Sequence, residues 1–383
     1  MKQRKNFYLG AALVTLVMGC AIGQLLLTKG VSAQAGGAGQ APKFEVDPMW
    51  PKPLPNTWIQ GSTIGVAVDA QDHIWMIHRP STLSKGELGL KEKTAEFCCI
   101  AAPPVMEFDQ AGNLVQSWGG PGPGYDWPKG EHAIFVDHKD NIWIGSNERT
   151  DGQILKFSRQ GKFLMQIGHA NIKPSSASTV DLGAPANIEV DPATNEVYVA
   201  DGYSNRRVIV FDADTGKYKR MWGAYGSKPE DVETVPYDPT VAPKYFRNPV
   251  HCSTISKDGL VYVCDRTSDR LQVFKKDGTF VKEQWLARKT LGSGAVWDID
   301  FSRDPQQRFM YVADGMNDRI HILLRDTLQE VGHFGQGGRW PGAFYAPHSL
   351  ATDSKGNIYT GETFEGKRLQ RFLYKGLGPS TGS

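Results

Sequence analysis

The sequence predicts an all-β fold, a six-bladed β-propeller with four antiparallel strands per blade. Two observations carry that reading. One unit recurs six times at a spacing of about fifty residues: a short apolar strand, a polar turn, then an apolar strand opening on an aliphatic–aromatic pair. The 42 glycines and 23 prolines are spread along all 383 residues, which suits a turn-rich strand protein better than a helical one.

The second strands open on Ile74-Trp75, Ile142-Trp143, Val197-Tyr198, Val261-Tyr262, Met310-Tyr311 and Ile358-Tyr359. A third strand follows each, as in GQILKFS (152–158), RRVIVFD (206–212) and DRLQVFK (269–275). A fourth comes after a short glycine turn, as in GKFLMQIG (161–168) and GTFVKEQW (278–285). Six such sheets closed in a ring leave no free edge. The segment KFEVDPMW (43–50) is the candidate for the outer strand that locks the last blade to the first. Two insertions break the spacing, residues 80–103 in the first unit and 224–246 after the third. Long ordered insertions on such rings commonly cap one face and carry function. The ring is expected over residues 43–375, with a disordered tail at 376–383.

At the N-terminus, Lys2, Arg4 and Lys5 precede an apolar run from Leu9 to Leu27, and Val31-Ser32-Ala33 has the small-residue form of a cleavage site. Residues 1–33 therefore read as a secretory signal and the Ala- and Gly-rich stretch 34–42 as a flexible leader, so an exported protein, periplasmic or extracellular, is expected. The alternative is that the apolar run stays as a membrane anchor, and membrane contact is expected only in that case. Val17-Met-Gly-Cys20 is a poor version of a lipoprotein cleavage box.

Lys+Arg 43 against Asp+Glu 41 gives a formal charge of +2 with no basic block, so no nucleic-acid partner is expected. A monomer acting on a small-molecule or peptide substrate is expected instead. Without Cys20 four cysteines remain, Cys98, Cys99, Cys252 and Cys264, and an oxidising compartment permits up to two disulfides in three connectivities. Cys252 and Cys264 flank the turn Lys257-Asp258-Gly259, where a cross-strand bridge and free buried thiols are both open.

The first strands align as IGVAVD from Ile64, HAIFVD from His132, ANIEVD from Ala186, HCSTIS from His251, WDIDFS from Trp297 and HSLATD from His348. The leading position is thus histidine in every second blade. The innermost strand of each blade lines the central channel, and alternate blades are related by a pseudo-threefold axis along it. Three imidazoles at one height then converge on one point, the geometry of a three-histidine zinc site with a fourth position open. Another divalent ion would suit the same donors. The remaining histidines read as structural or solvated, with His78 ambiguous beside Arg79.

Residues just past the second strands can reach that point. These places hold Arg79 in IHRP, Tyr203 and Arg206 in ADGYSNRR, and Arg266 and Arg270 in CDRTSDR. A guanidinium binds a carboxylate through two parallel hydrogen bonds, and a phenol beside a divalent cation can serve as a general base. The recurrence of DGYSNRR, DRTSDR and DGMNDR assigns Arg206, Arg270 and Arg319 to structural Asp–Arg pairs. Arg79, Tyr203 and Arg266 fall outside that pattern and are the candidate catalytic residues.

The strings IHRP, GEHAIFVDHKDNIW, VADGYSNRRVIVF, NPVHCST, VCDRTSDRLQVF and APHSLATDSKGNIYTGET resemble successive blades of the peptidyl-α-hydroxyglycine α-amidating lyase family, within the wider NHL-repeat propellers. The resemblance covers roughly residues 60–372. It implies zinc on His132, His251 and His348, a catalytic Tyr203, and substrate contacts from Arg79 and Arg266. It also implies cleavage of a carbinolamide to glyoxylate and an amide. Ser349 stands where the family carries a calcium-ligating aspartate, which speaks against calcium here. Two other classes share the scaffold. One is a lactonase-like hydrolase, whose sites rest on carboxylates and Asn around calcium. The other is a non-catalytic NHL propeller that binds a protein or glycan partner.

Overall fold

The computed structural model describes residues 39–233 and 235–380, and the signal assigned to residues 1–33 lies outside them. Six four-stranded antiparallel sheets form the six-bladed propeller, with one short extra pair. Blade 2 is typical: Glu131–Val136, Asn141–Ser146, Asp151–Ser158 and Phe163–Ala170 run outward from the centre in chain order. Blade 6 alone is composite. Its inner strands are Pro347–Thr352, Ile358–Glu362 and Arg368–Pro379, and its outer strand is the N-terminal Gln40–Asp47.

That closing pair runs in register from Gln40 opposite Pro379 to Asp47 opposite Arg371, and Arg371 and Asp47 form an ion pair. The ring is thus longer at both ends than 43–375. Residues 40–42 of the expected leader and 376–379 of the expected tail are paired strand, because each supplies the backbone partner of the other.

The aliphatic–aromatic pairs explain how the blades stack. Trp75, Trp143, Tyr198, Tyr262, Tyr311 and Tyr359 are all fully buried. Each apolar cluster lies between successive blades, as where Trp75, Ile134, Ile144 and Leu155 join blades 1 and 2. Truncating one of these tryptophans to alanine would cost roughly 3–5 kcal/mol. In blades 1, 2 and 6 the polar end is satisfied within the unit: Trp75 Nε1 donates to Asp69 at 3.0 Å, Trp143 Nε1 to Asp137 at 2.9 Å, and Tyr359 Oη to Asp353 at 3.0 Å. In those three blades the Asp that ends the first strand also fixes the aromatic that opens the second.

Among the described residues, helix is confined to three 3-10 turns, Pro80–Thr82, Ala224–Gly226 and Arg266–Ser268, and no helix is long and apolar enough to cross a membrane. The insertion at 80–103 spans the seam between blades 6 and 1. Its Ile100–Ala101 pairs in parallel with Trp58–Ile59, and Glu87 meets Lys367 at 2.9 Å. The insertion at 224–246 is held on blade 4, where Arg270 Nη1 donates to the Pro243 carbonyl at 2.7 Å.

The Asp–Arg pairing expected for Arg206, Arg270 and Arg319 holds only at Arg270, which meets Asp265 at 2.7 Å with both fully buried. In blade 3 the partner of Asp201 is Arg207, at 2.8 Å. The turn DGYSNRR is one residue longer than DRTSDR, so the register places Arg207 opposite Asp201, while Arg206 Nε donates to Asn248 at 2.9 Å. In blade 5 Asp314 is taken instead by His321 Nε2 at 3.0 Å and Asn317 Nδ2 at 2.8 Å. Cys252 and Cys264 lie opposite each other and are disulfide-bonded, with Cα atoms 4.8 Å apart. Cys98 and Cys99 form a second, vicinal bond.

Candidate metal centre

The three histidines converge. His132, His251 and His348 are 2–4% exposed, and their ligand nitrogens all lie within 4.8 Å of one another. Their ring centroids are separated by 4.6–4.9 Å. The local cause is a bulge at the head of each first strand. Pairing skips from Glu131 to Ile134, from Val250 to Cys252 and from Pro347 to Ser349, so each histidine sits in the irregularity. A bulge re-aims a side chain that regular pairing would point into a sheet face. Here it turns the imidazoles toward the channel axis.

The alternation has a second half. His132 Nδ1 is 2.6 Å from the Ala186 carbonyl, His251 Nδ1 is 2.5 Å from the Trp297 carbonyl, and His348 Nδ1 is 2.7 Å from the Ile64 carbonyl. Ala186, Trp297 and Ile64 are the leading residues of the blades that carry no histidine. A carbonyl can only accept, so each Nδ1 holds the proton and each Nε2 turns a lone pair inward. Burial first holds all three well below the usual histidine range, followed by the neighbouring imidazoles at His132 and by the Arg266 charge at His251 and His348. Three neutral nitrogen donors on one face fit a tetrahedral divalent cation with an open position. Among the described residues, the hydroxyl that reaches them is Tyr203 Oη, 2.9 Å from His132 Nε2 and 3.2 Å from His251 Nε2.

Tyr203 is placed by Gly202, whose α-carbon packs directly on the Val250 backbone; a Cβ there would overlap its carbonyl and nitrogen. Arg266 Nη1 donates to Tyr203 Oη at 3.1 Å. Arg79 enters from blade 1, its Nε donating to the Glu131 carbonyl at 2.7 Å beside His132. Burial lowers the Arg79 pKa against the opposing pull of Tyr203 and Glu131. Arg79 Nη2 and Arg266 Nε are both buried and have no hydrogen-bond partner among the described residues. Two guanidinium groups with spare donors beside a cation centre suit an anionic, planar ligand group.

The structure thus brings together all six residues singled out in the sequence. His78, left ambiguous there, is internal: its Nδ1 accepts from Gly61 N–H at 3.0 Å, its Nε2 meets the Pro103 carbonyl at 3.1 Å, and burial lowers its pKa to about 4. A second acid–histidine group, Asp69, His73 and Glu107, already contains a cation, since Arg159 contacts both carboxylates. At the position after His348, Ser349 is buried with its hydroxyl unpartnered; the carboxylate lining the adjoining cavity is Asp298 from blade 5. Sequence reasoning missed the three carbonyls and the Trp297 side chain. The signal available was the leading residue in the blades that lack histidine.

Fold and site together define a six-bladed propeller with a buried three-histidine centre in its channel. No family profile matches the chain. It is 24% identical over 350 residues to NHL repeat-containing protein 3 of Mus musculus, covering 87% of this chain and 84% of that protein. It is 25% identical over 237 residues to peptidyl-glycine alpha-amidating monooxygenase A of Xenopus laevis, and 28% over 243 residues to peptidyl-glycine alpha-amidating monooxygenase of Mus musculus. These cover 60% and 59% of this chain but only 23% and 22% of those longer proteins. Among solved structures, virginiamycin B lyase from Staphylococcus aureus with quinupristin gives a TM-score of 0.49 at 12% identity, covering 89% of this chain and 88% of that one. These comparisons make the chain similar to NHL repeat-containing protein 3 along most of its length and to part of the peptidylglycine α-amidating monooxygenases.

Proposed function

We propose that this protein is an exported, metal-dependent carbon–nitrogen lyase that cleaves a carbinolamide of the α-hydroxyglycine type to glyoxylate and an amide. The observation that carries the reading is one hydrogen-bonded group: Tyr203 Oη lies within 3.2 Å of two of the three converging imidazoles and accepts from Arg266. A divalent cation on His132, His251 and His348, zinc in this reading, supplies Lewis acidity beside the reacting hydroxyl. Arg79 and Arg266 bind the substrate carboxylate with their unpartnered guanidinium nitrogens. Tyr203, acting as the phenolate, takes the hydroxyl proton and returns it to the departing nitrogen. The carbon–oxygen bond then becomes a carbonyl as the carbon–nitrogen bond breaks, and the departing amide nitrogen takes up a proton. The products are glyoxylate and the amide, and no oxidant or water is consumed.

The test is glyoxylate release from an N-acyl-α-hydroxyglycine by residues 34–383, with and without a chelator. Release that the chelator stops and zinc restores supports the reading. A folded, zinc-loaded sample that releases none would overturn it. The similarity to NHL repeat-containing protein 3 along most of both chains favours a second reading, a ring whose metal centre organises a binding surface for a partner. That reading predicts the failed outcome of the same experiment.

A further inference from the structure

Arg266 is held between two aromatic faces. Its guanidinium carbon lies 4.6 Å from the centre of the Trp297 ring and 5.5 Å from that of Tyr203. Trp297 is 1% exposed and stands edge-on to His348, with ring centroids 5.4 Å apart. Its indole N–H is tied to the Gly294 carbonyl at 2.5 Å, and Gly294, at φ +73°, packs its backbone against the carbonyl of Arg266 itself. The second strand of the same blade is followed by a glycine that leaves room for the indole: a Cβ on Gly315 would come within 2.6 Å of it. Phe364 covers the outer edge, with ring centroids 6.2 Å apart. One residue thus touches the site twice, by its carbonyl on His251 Nδ1 and by its ring on Arg266.

An arginine side chain has rotamer freedom to lose before it can bind a carboxylate through a fixed fork. A guanidinium stacked on an aromatic face keeps its donors in the plane and away from that face. Arg266 spends one donor on Tyr203 and keeps its buried Nε without a partner. We propose that Trp297 is a positioning residue for carboxylate recognition: its indole holds the Arg266 guanidinium flat beside the three histidines, so that the arginine's spare donors meet the carboxylate of the substrate. The inference rests on the lyase reading and adds to it the residue that sets preference for an acid over its neutral analogue.

The test compares glycolate with glycolamide, which share a hydroxyl and differ in charge, by calorimetric titration of the zinc-loaded chain. Trp297→Leu is expected to weaken glycolate binding about thirtyfold, the scale of a desolvated cation–π contact, and to leave glycolamide unchanged. Trp297→Phe keeps an aromatic face and is expected to retain most of the preference, which covers the case in which the leucine variant does not fold. In an Arg266→Ala background the Trp297 substitutions are expected to have no further effect on glycolate. Equal losses for both ligands, or a Trp297 effect that persists without Arg266, would reduce Trp297 to packing and overturn the inference. So would a phenylalanine variant with no more preference than Arg266→Ala. Wild-type protein that prefers neither ligand would overturn the lyase reading, and this inference with it.

Discussion

The phenol oxygen of Tyr203 lies 2.9 Å from Nε2 of His132, so the candidate base and a candidate metal ligand share a hydrogen bond. A single O–H can serve only one imidazole at a time, and the same oxygen is 3.2 Å from His251 Nε2. The two roles are separable because the histidines are fixed from behind, through Nδ1 and the carbonyls of Ala186, Trp297 and Ile64. Tyr203→Phe removes one oxygen and leaves those three bonds intact. It is expected to keep its bound metal and its melting temperature while losing about 10²–10⁴-fold in turnover, the range of a positioned general base. Metal analysis and glyoxylate release on one sample check it, and full turnover would remove Tyr203 from the chemistry.

Removing a ligand should do the opposite. His348 reaches the centre from blade 6, the blade completed by the N-terminal strand, and its Nδ1 accepts nothing but donates to Ile64 of blade 1. His348→Ala is expected to lower zinc affinity by more than about a hundredfold, beyond the loss seen when only the group behind a ligand is removed. A ligand that binds only the folded state stabilises it by about 2.7 kcal/mol at a hundred times its Kd. Zinc should therefore raise the melting temperature of the wild-type chain and leave that of His348→Ala unchanged at the same concentration. A similar zinc shift in both would place the ion elsewhere.

Much of the ring and of the centre was legible because the repeat fixes register. Once six first strands were aligned, alternate histidines at the leading position could only meet on the axis. What stayed hidden had physical reasons. The carbonyls that orient the imidazoles are backbone atoms, which no residue type announces. Arg206 matches the repeated spacing from Asp201, but the one-residue lengthening of the DGYSNRR turn moves the register to Arg207. Gln40–Pro42 and Gly376–Pro379 have little apolar character of their own and become strand through each other, which carries the ring past both ends that composition marks.

Gly202 offers a test of how tightly the Tyr203 loop is seated. Its backbone lies against Val250, the residue before His251, and backbone atoms cannot move aside as a flexible side chain would. Gly202→Ala is expected to destabilise the fold by about 1–3 kcal/mol, the usual cost of overpacking. It should also lower turnover by displacing Tyr203 while zinc content holds. Calorimetry, metal analysis and kinetics on the variant decide it. Unchanged stability and turnover together would mean that the loop accommodates the methyl group and that close approach there does not position Tyr203.

A pH dependence of stability is expected away from the three converging histidines. His321 in blade 5 is 4% exposed, with Nε2 3.0 Å from Asp314 and Nδ1 2.9 Å from Glu330, while His333 Nδ1 stands 3.5 Å from the same Glu330. Burial alone would lower its pKa, but the hydrogen bonds and charges of Asp314 and Glu330 outweigh it and raise the value to about 9. A raised folded-state pKa favours folding while the group is protonated. Its contribution is fully present below the unfolded value near 6.5 and is lost as pH climbs through about 9. The shift corresponds to an upper bound of roughly 3 kcal/mol. His321→Gln, which cannot take up a proton, should therefore cost most stability at pH 6 and progressively less by pH 10. Denaturant titrations of wild type and variant across that range give the difference directly. A penalty that stays constant with pH would mean that His321 contributes only neutral hydrogen bonds, and one that grows with pH would reverse the sign of the linkage.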